Sequence, residues 1–128
     1  FSLFLSNSLR GESPLEKINN FFEAVFEKHK KTNFVGGCLF GNTALEMSDT
    51  NPRFSNLIKE VFNEWTSTIT ELLREAKEAG NLKQEIQPDL LAKQIIGAIE
   101  GGIMMARVSK NEDDLRDCLK SLRILLGI

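Results

Sequence analysis

Apolar residues recur at intervals of three and four along almost the whole chain, and nowhere do they alternate with polar ones as in a half-buried strand. Phe1, Phe4, Leu5 and Leu9 read as the closing turns of a helix that Gly11 stops. Ser13-Pro14 starts the next helix, with the serine as cap, proline at the first position and Glu16 three residues after the cap. From Pro14 to Lys31 its apolar stripe is Leu15, Ile18, Phe21, Phe22, Val25 and Phe26, and Lys28, Lys30 and Lys31 complement its negative end. His29 continues the Phe22 stripe and reads as a boundary residue rather than a ligand or switch.

Asn51-Pro52 opens the clearest helix, with Phe54, Leu57, Ile58, Val61, Phe62, Trp65, Ile69, Leu72, Leu73 and Ala76 in rhythm until Gly80. Pro52–Ala79 is about 28 residues, roughly 40 Å at the helical rise, long enough to serve as a spine. Pro88 begins another helix running to Ser109, and here apolar residues cover nearly every face: Leu90, Leu91, Ile95, Ile96, Ile99, Ile103, Met104, Met105 and Val108. Such a helix needs cover all round, more than one small domain readily supplies. Gly97, Gly101 and Gly102 each cost roughly 1 kcal/mol of helix propensity against alanine, which close approach of another backbone would offset. Asn111, with Asp114 three residues on, caps a last helix striped by Leu115, Cys118, Leu119, Leu122, Leu125 and Leu126. Two successive helices with surplus apolar surface predict a hairpin that pairs with its copy in a four-helix bundle. Gly101, Met105, Leu115, Leu119, Leu122 and Leu126 are the expected contact residues of that homodimer.

One stretch fits neither a surface helix nor a loop. In Gly36–Asp49, after a tight glycine-pair turn, Leu39, Phe40, Ala44, Leu45 and Met47 leave almost no face for water, so burial on several sides is expected. Asn42 and Thr43 within it then need hydrogen-bond partners. The segment is either a core helix or the wall of a small-molecule cavity.

Composition works mainly by exclusion. The 128 residues make one domain, and 41% hydrophobic content suffices for a core. Sixteen basic and eighteen acidic side chains leave a net charge of −2, without the footprint of a nucleic-acid or membrane-surface binder. Two distant cysteines, Cys38 and Cys118, match no zinc or disulfide framework and point to a reducing, cytoplasmic setting. There is no membrane-length apolar run, no phosphate loop, no histidine pair and no nucleophile motif, so neither an enzyme nor a cofactor or metal site is expected. Beginning at Phe1 rather than methionine, the chain is expected to be part of a longer protein. These features describe an all-α binding module of about five antiparallel helices.

The ordered set Gly37-Cys38-Leu39-Phe40-Gly41-Asn42-Thr43-Ala44-Leu45-Glu46 with Ser48-Asp49, Leu73-Arg74-Glu75-Ala76 to Gly80, Glu100-Gly101-Gly102-Ile103-Met104-Met105-Ala106-Arg107-Val108 and the leucine-rich close resembles the ligand-binding region of TetR/AcrR-family transcriptional regulators. The resemblance covers essentially all of residues 1–128. It implies an all-α homodimer whose last two long helices make the dimer. It also implies a small, mostly apolar or aromatic effector that releases a repressor from operator DNA. The helix-turn-helix that would read DNA is not among these residues, and residues 1–10 would be the end of the helix leading to it. Expected pocket residues are Phe22, Phe26, Leu39, Asn42, Phe62, Trp65, Ile96, Glu100 and Ile103, with core packing the competing role for most of them.

Two further readings stay open. The chain could be a helical interaction and dimerisation module with no small-molecule ligand. Alternatively Cys38, at a helix start where the dipole lowers a thiol pKa, could sense electrophiles or oxidants, against the ordinary role of a small buried hydrophobe.

Overall fold

The structure, a computed structural model, describes residues 2–128, with side chains from Phe4 onward; Phe1 of the expected N-terminal stripe lies outside the described residues. Among the described residues six helices follow one another: α1 Ser2–Ser8, α2 Pro14–Lys31, α3 Leu39–Met47, α4 Pro52–Glu78, α5 Pro88–Ser109 and α6 Asp113–Leu126. No strand occurs among the described residues.

The caps explain where the long helices start. The Glu16 N–H donates to Ser13 Oγ at 3.2 Å, while the Glu16 carboxylate reaches back to the Glu12 N–H, also at 3.2 Å. At α4, Asn51 Oδ1 accepts from the Phe54 N–H at 3.3 Å, and proline occupies the first turn of α2, α4 and α5, where its missing donor costs nothing. α4 is the spine: α2, α3 and α5 all pack on it, and α6 packs on α5 and α2. The core between them is closed by Ile18, Phe22, Ile69, Leu73, Ile95, Leu115 and Leu119, all essentially without solvent exposure.

Two expectations need correction. Gly36–Asp49 is not buried on several sides: α3 contains no buried residue, and Leu39 and Leu45 are 72% and 79% exposed. The segment lies against α4 as an outer wall. Its polar groups bond locally, Asn42 Nδ2 donating to Gly36 O at 2.5 Å and Thr43 Oγ1 to Leu39 O at 2.8 Å, so it needs no polar partner elsewhere.

The second correction concerns the dimer residues. Leu115, Leu119, Leu122 and Leu126 are buried within this chain's own core and are unavailable to a partner. The stripe at helical spacing on α6 is the face turned to α5 and α2. Gly101 and Met105 are different: a Cβ on Gly101 would meet nothing within 4 Å, and Met105 is 48% exposed. Besides α3 and the start of α4, apolar surface is left uncovered in a line along α5 (Leu90, Gly97, Gly101, Met104, Val108), joined by Leu125, Ile124 and Ile128 at the end of α6. Of the three glycines in α5, Gly102 alone sits against a neighbour, its absent Cβ 3.1 Å from Leu115 Cδ1 and Cys118 Cβ.

Candidate functional site

The helices leave a cavity of about 450 Å³ between α1, α2, α3, α4 and α5, within the range of small-molecule sites. α2 turns two adjacent faces to different neighbours. Phe22 and Phe26 point toward α6, where the Arg123 guanidinium lies 5.7 Å from the Phe22 ring and that of Arg116 lies 4.9 Å from Phe26. Neither phenylalanine lines the cavity, so both are core. The face that does line it carries Phe21, Val25 and His29, one position over. The breadth of the aromatic stripe was the available signal, since a stripe wider than one contact surface must serve two.

From α4 comes Trp65, only 4% exposed, held edge-on between Phe40 of α3 at 5.5 Å and Phe62 of its own helix at 5.1 Å. This pair of T-shaped contacts fixes the indole plane and joins α3 to α4. Leu39 and Phe40 extend the wall, and Ile96, Ile99, Glu100 and Ile103 of α5 close it. Phe4 of α1 completes the lining on the N-terminal side, with Lys28 Nζ 4.5 Å above its ring.

Of the nine residues expected at a pocket, Leu39, Trp65, Ile96, Glu100 and Ile103 thus meet around this cavity. Asn42 and Phe62 face a second cavity, of about 550 Å³, on the outer side of α3, to which Glu100 and Ile103 also contribute. Phe4, Phe21, Val25, His29 and Ile99 were not singled out by the sequence pattern, which marks them as apolar or boundary positions and nothing more.

Polar groups at the centre are few and adjacent. Cys38 stands at the N-cap position of α3 without a side-chain cap bond, and it neighbours the Glu100 carboxyl, which burial pushes above its ordinary pKa. For Cys38 the dipole expectation is reversed. Burial and the negative charge of Glu100 push the thiol up to about 11, outweighing the backbone N–H groups of Gly41 and Phe40 that pull the other way. The thiol therefore stays protonated at neutral pH, and its nucleophilicity is suppressed. Burial, with Lys28 alongside, lowers the His29 pKa, so the imidazole facing the cavity is neutral. Among the described residues no group of His, Cys, Asp and Glu could hold a metal ion.

The chamber is mostly apolar, with Cys38, Glu100, His29 and Lys28 as its polar or charged side chains, and helices α1 to α5 wall it. The chain belongs to the family described as Tetracyclin repressor-like, C-terminal domain, whose profile matches residues 14–122. It is similar to the HTH-type transcriptional repressor DhaR of Mycobacterium sp. (strain GP1), 27% identical over 113 residues that cover 87% of this chain and 55% of the relative. It is also similar to the transcriptional regulator AcuR of Cereibacter sphaeroides, 31% identical over 112 residues, 88% of this chain and 50% of that one. In solved structures it resembles a regulatory protein TetR from Rhodobacter sphaeroides, with TM-score 0.89 and 26% identity over 98% of this chain and 67% of the other. A TetR transcriptional regulator from Chloroflexus aurantiacus matches with TM-score 0.88 and 27% identity, covering 98% and 64%. The chain spans about half the length of these curated relatives. It is the C-terminal domain of a TetR-family transcriptional regulator. No helix among the described residues is long and apolar enough to cross a membrane.

Proposed function

We propose that the inner cavity is the effector site of a transcriptional repressor, and that a small, mostly apolar or aromatic ligand bound there releases operator DNA. The observation that carries this reading is the position of Phe4. It belongs to α1, the segment that in this reading leads to a helix-turn-helix unit, and it lines the same cavity as Trp65 and Glu100. A ligand filling the chamber touches α1 directly and favours one placement of it over another. Only that difference in affinity between the two placements can move the DNA-reading heads.

Dimerisation belongs to the same proposal. The uncovered line Leu90, Gly97, Gly101, Met104 and Val108, continued by Leu125 beside Leu90, offers α5 and α6 as a self-complementary face. Helices that approach over glycine pack closely, which supplies the compensation that Gly97 and Gly101 lack within one chain.

The open chamber favours this reading over a ligand-free interaction module, in which phenylalanine and tryptophan would fill the space. The protonated thiol disfavours Cys38 as a fast electrophile trap. The deciding experiment titrates neutral aromatic compounds against the purified protein while following Trp65 emission and the melting temperature. Binding is expected to shift both. If millimolar ligand moves neither, the cavity is not an effector site.

A further inference from the structure

The inner cavity uses only one side of α3. The outer cavity of about 550 Å³ lies between the other side of α3 and α5, and its inner wall is Ala44, Leu45, Phe62 and Ile103. Its charged groups are Glu100, Arg107 and Lys110. Glu100 neighbours the Cys38 thiol, and Lys110 Nζ donates to Phe34 O at 3.4 Å. Arg107 has no ion pair or hydrogen bond among the described residues. Its stem runs past Gly37, with Cδ 3.2 Å from where a Cβ on that glycine would sit. Gly37 has φ +62°, so glycine serves there both for the turn and for the room it leaves Arg107. The result is a guanidinium positioned at an apolar groove with all its donors available.

We propose that this groove is a second binding site, taking an amphipathic carboxylate whose apolar part lies along Leu45, Phe62 and Ile103 and whose head is held by Arg107. The planar guanidinium matches a carboxylate with two parallel hydrogen bonds. An exposed ion pair alone holds little, so recognition requires the apolar contact as well. A neutral ligand of the same chain length forfeits the charged half. An ammonium ligand meets Arg107 and Lys110 as like charges, against the one carboxyl of the groove lining, Glu100. The site is chemically distinct from the inner chamber, which presents no available guanidinium.

The test is calorimetric titration of the purified protein with octanoate, 1-octanol and octylamine, repeated on Arg107→Gln and Arg107→Lys. Octanoate is expected to bind the wild type about tenfold more tightly than octanol. Octylamine should not saturate, Arg107→Gln should bring octanoate down to the level of octanol, and Arg107→Lys should fall between. Equal binding of octanoate and octanol by the wild type would overturn the proposal. So would octanoate binding unaffected by Arg107→Gln in a variant of unchanged melting temperature, or no octanoate binding at all. Neutral aromatic compounds read through Trp65 are a separate measurement, so a failure here leaves the inner-cavity reading untouched.

Discussion

Gly41 leaves open the space that the Glu100 carboxylate fills: a Cβ built on Gly41 would overlap Glu100 Oε2. The glycine lies in α3 and the glutamate in α5, so the missing side chain sets how closely the two cavity walls approach. It also puts the carboxylate near Cys38, whose thiol burial and the Glu100 charge together keep protonated.

Gly41→Ala tests that link. The atom in the way is the far end of a flexible side chain, so Glu100 should swing aside rather than push α3 off. Stability should change by no more than about 1 kcal/mol, because alanine recovers roughly that much helix propensity. The Cys38 pKa should fall from about 11 toward the ordinary 9.0, and alkylation at pH 8.5 should accelerate. An unchanged alkylation rate would mean that burial alone suppresses the thiol.

Glu100 also makes a pH prediction. Its folded pKa is raised above 4.5, so its favourable contribution is present below that pH and is lost as pH rises through the folded value. At pH 7 the ionised group is a net cost. Glu100→Gln should therefore be more stable than the wild type at pH 7, and no more stable at pH 4, by urea unfolding. His29 works in the other sense. Its pKa is lowered from 6.5, so stability is held above that pH and lost as pH falls through the folded value. A Glu100→Gln gain that persists at pH 4 would show a packing effect instead of ionisation.

Much of this architecture is written in local chemistry. Ser13-Pro14 and Asn51-Pro52 mark helix starts because caps and first-turn prolines act within a few residues. The spans Pro14–Lys31 and Pro88–Ser109 are those the apolar rhythm predicts. What periodicity lacks is direction. It marks Leu115, Leu119, Leu122 and Leu126 as one face without saying whether that face meets α5 of the same chain or a copy. It gives Phe21 and Phe22 equal standing, although one lines the cavity and the other lies under Arg123. For α3, apolar content implied burial, yet Leu39 and Leu45 stay exposed, since a helix flanked by two cavities is only partly covered. The Cys38 direction was hidden for a similar reason. The dipole is local and legible, whereas Glu100 lies some sixty positions on in sequence and only the fold brings it near.

Trp65 should be the most sensitive single position of the inner chamber. Trp65→Ala removes the surface on which both Phe40 and Phe62 pack and is expected to cost about 3–5 kcal/mol in thermal or urea unfolding. Trp65→Phe keeps an aromatic edge for each neighbour and should cost far less. Near-equal losses for the two would show that indole-specific contacts dominate.

The neighbouring glycines of α5 separate the internal packing of this chain from its pairing with a copy. At Gly102 an added Cβ would sit 3.1 Å from both Leu115 Cδ1 and Cys118 Cβ, so Gly102→Ala forces α6 to yield and should cost about 1–3 kcal/mol. At Gly101 nothing lies within 4 Å, so for an isolated chain alanine should stabilise by roughly 1 kcal/mol. In a dimer built on the exposed line of α5, the same methyl enters the contact between helices and should weaken association instead. Val108→Glu, at a residue 82% exposed, places a charge on that line with no cost to a lone chain and should leave a monomer. Sedimentation at micromolar concentration checks both, with wild type expected as a dimer. A monomeric wild type whose Gly101→Ala variant is merely more stable would show that α5 faces solvent and not a second copy.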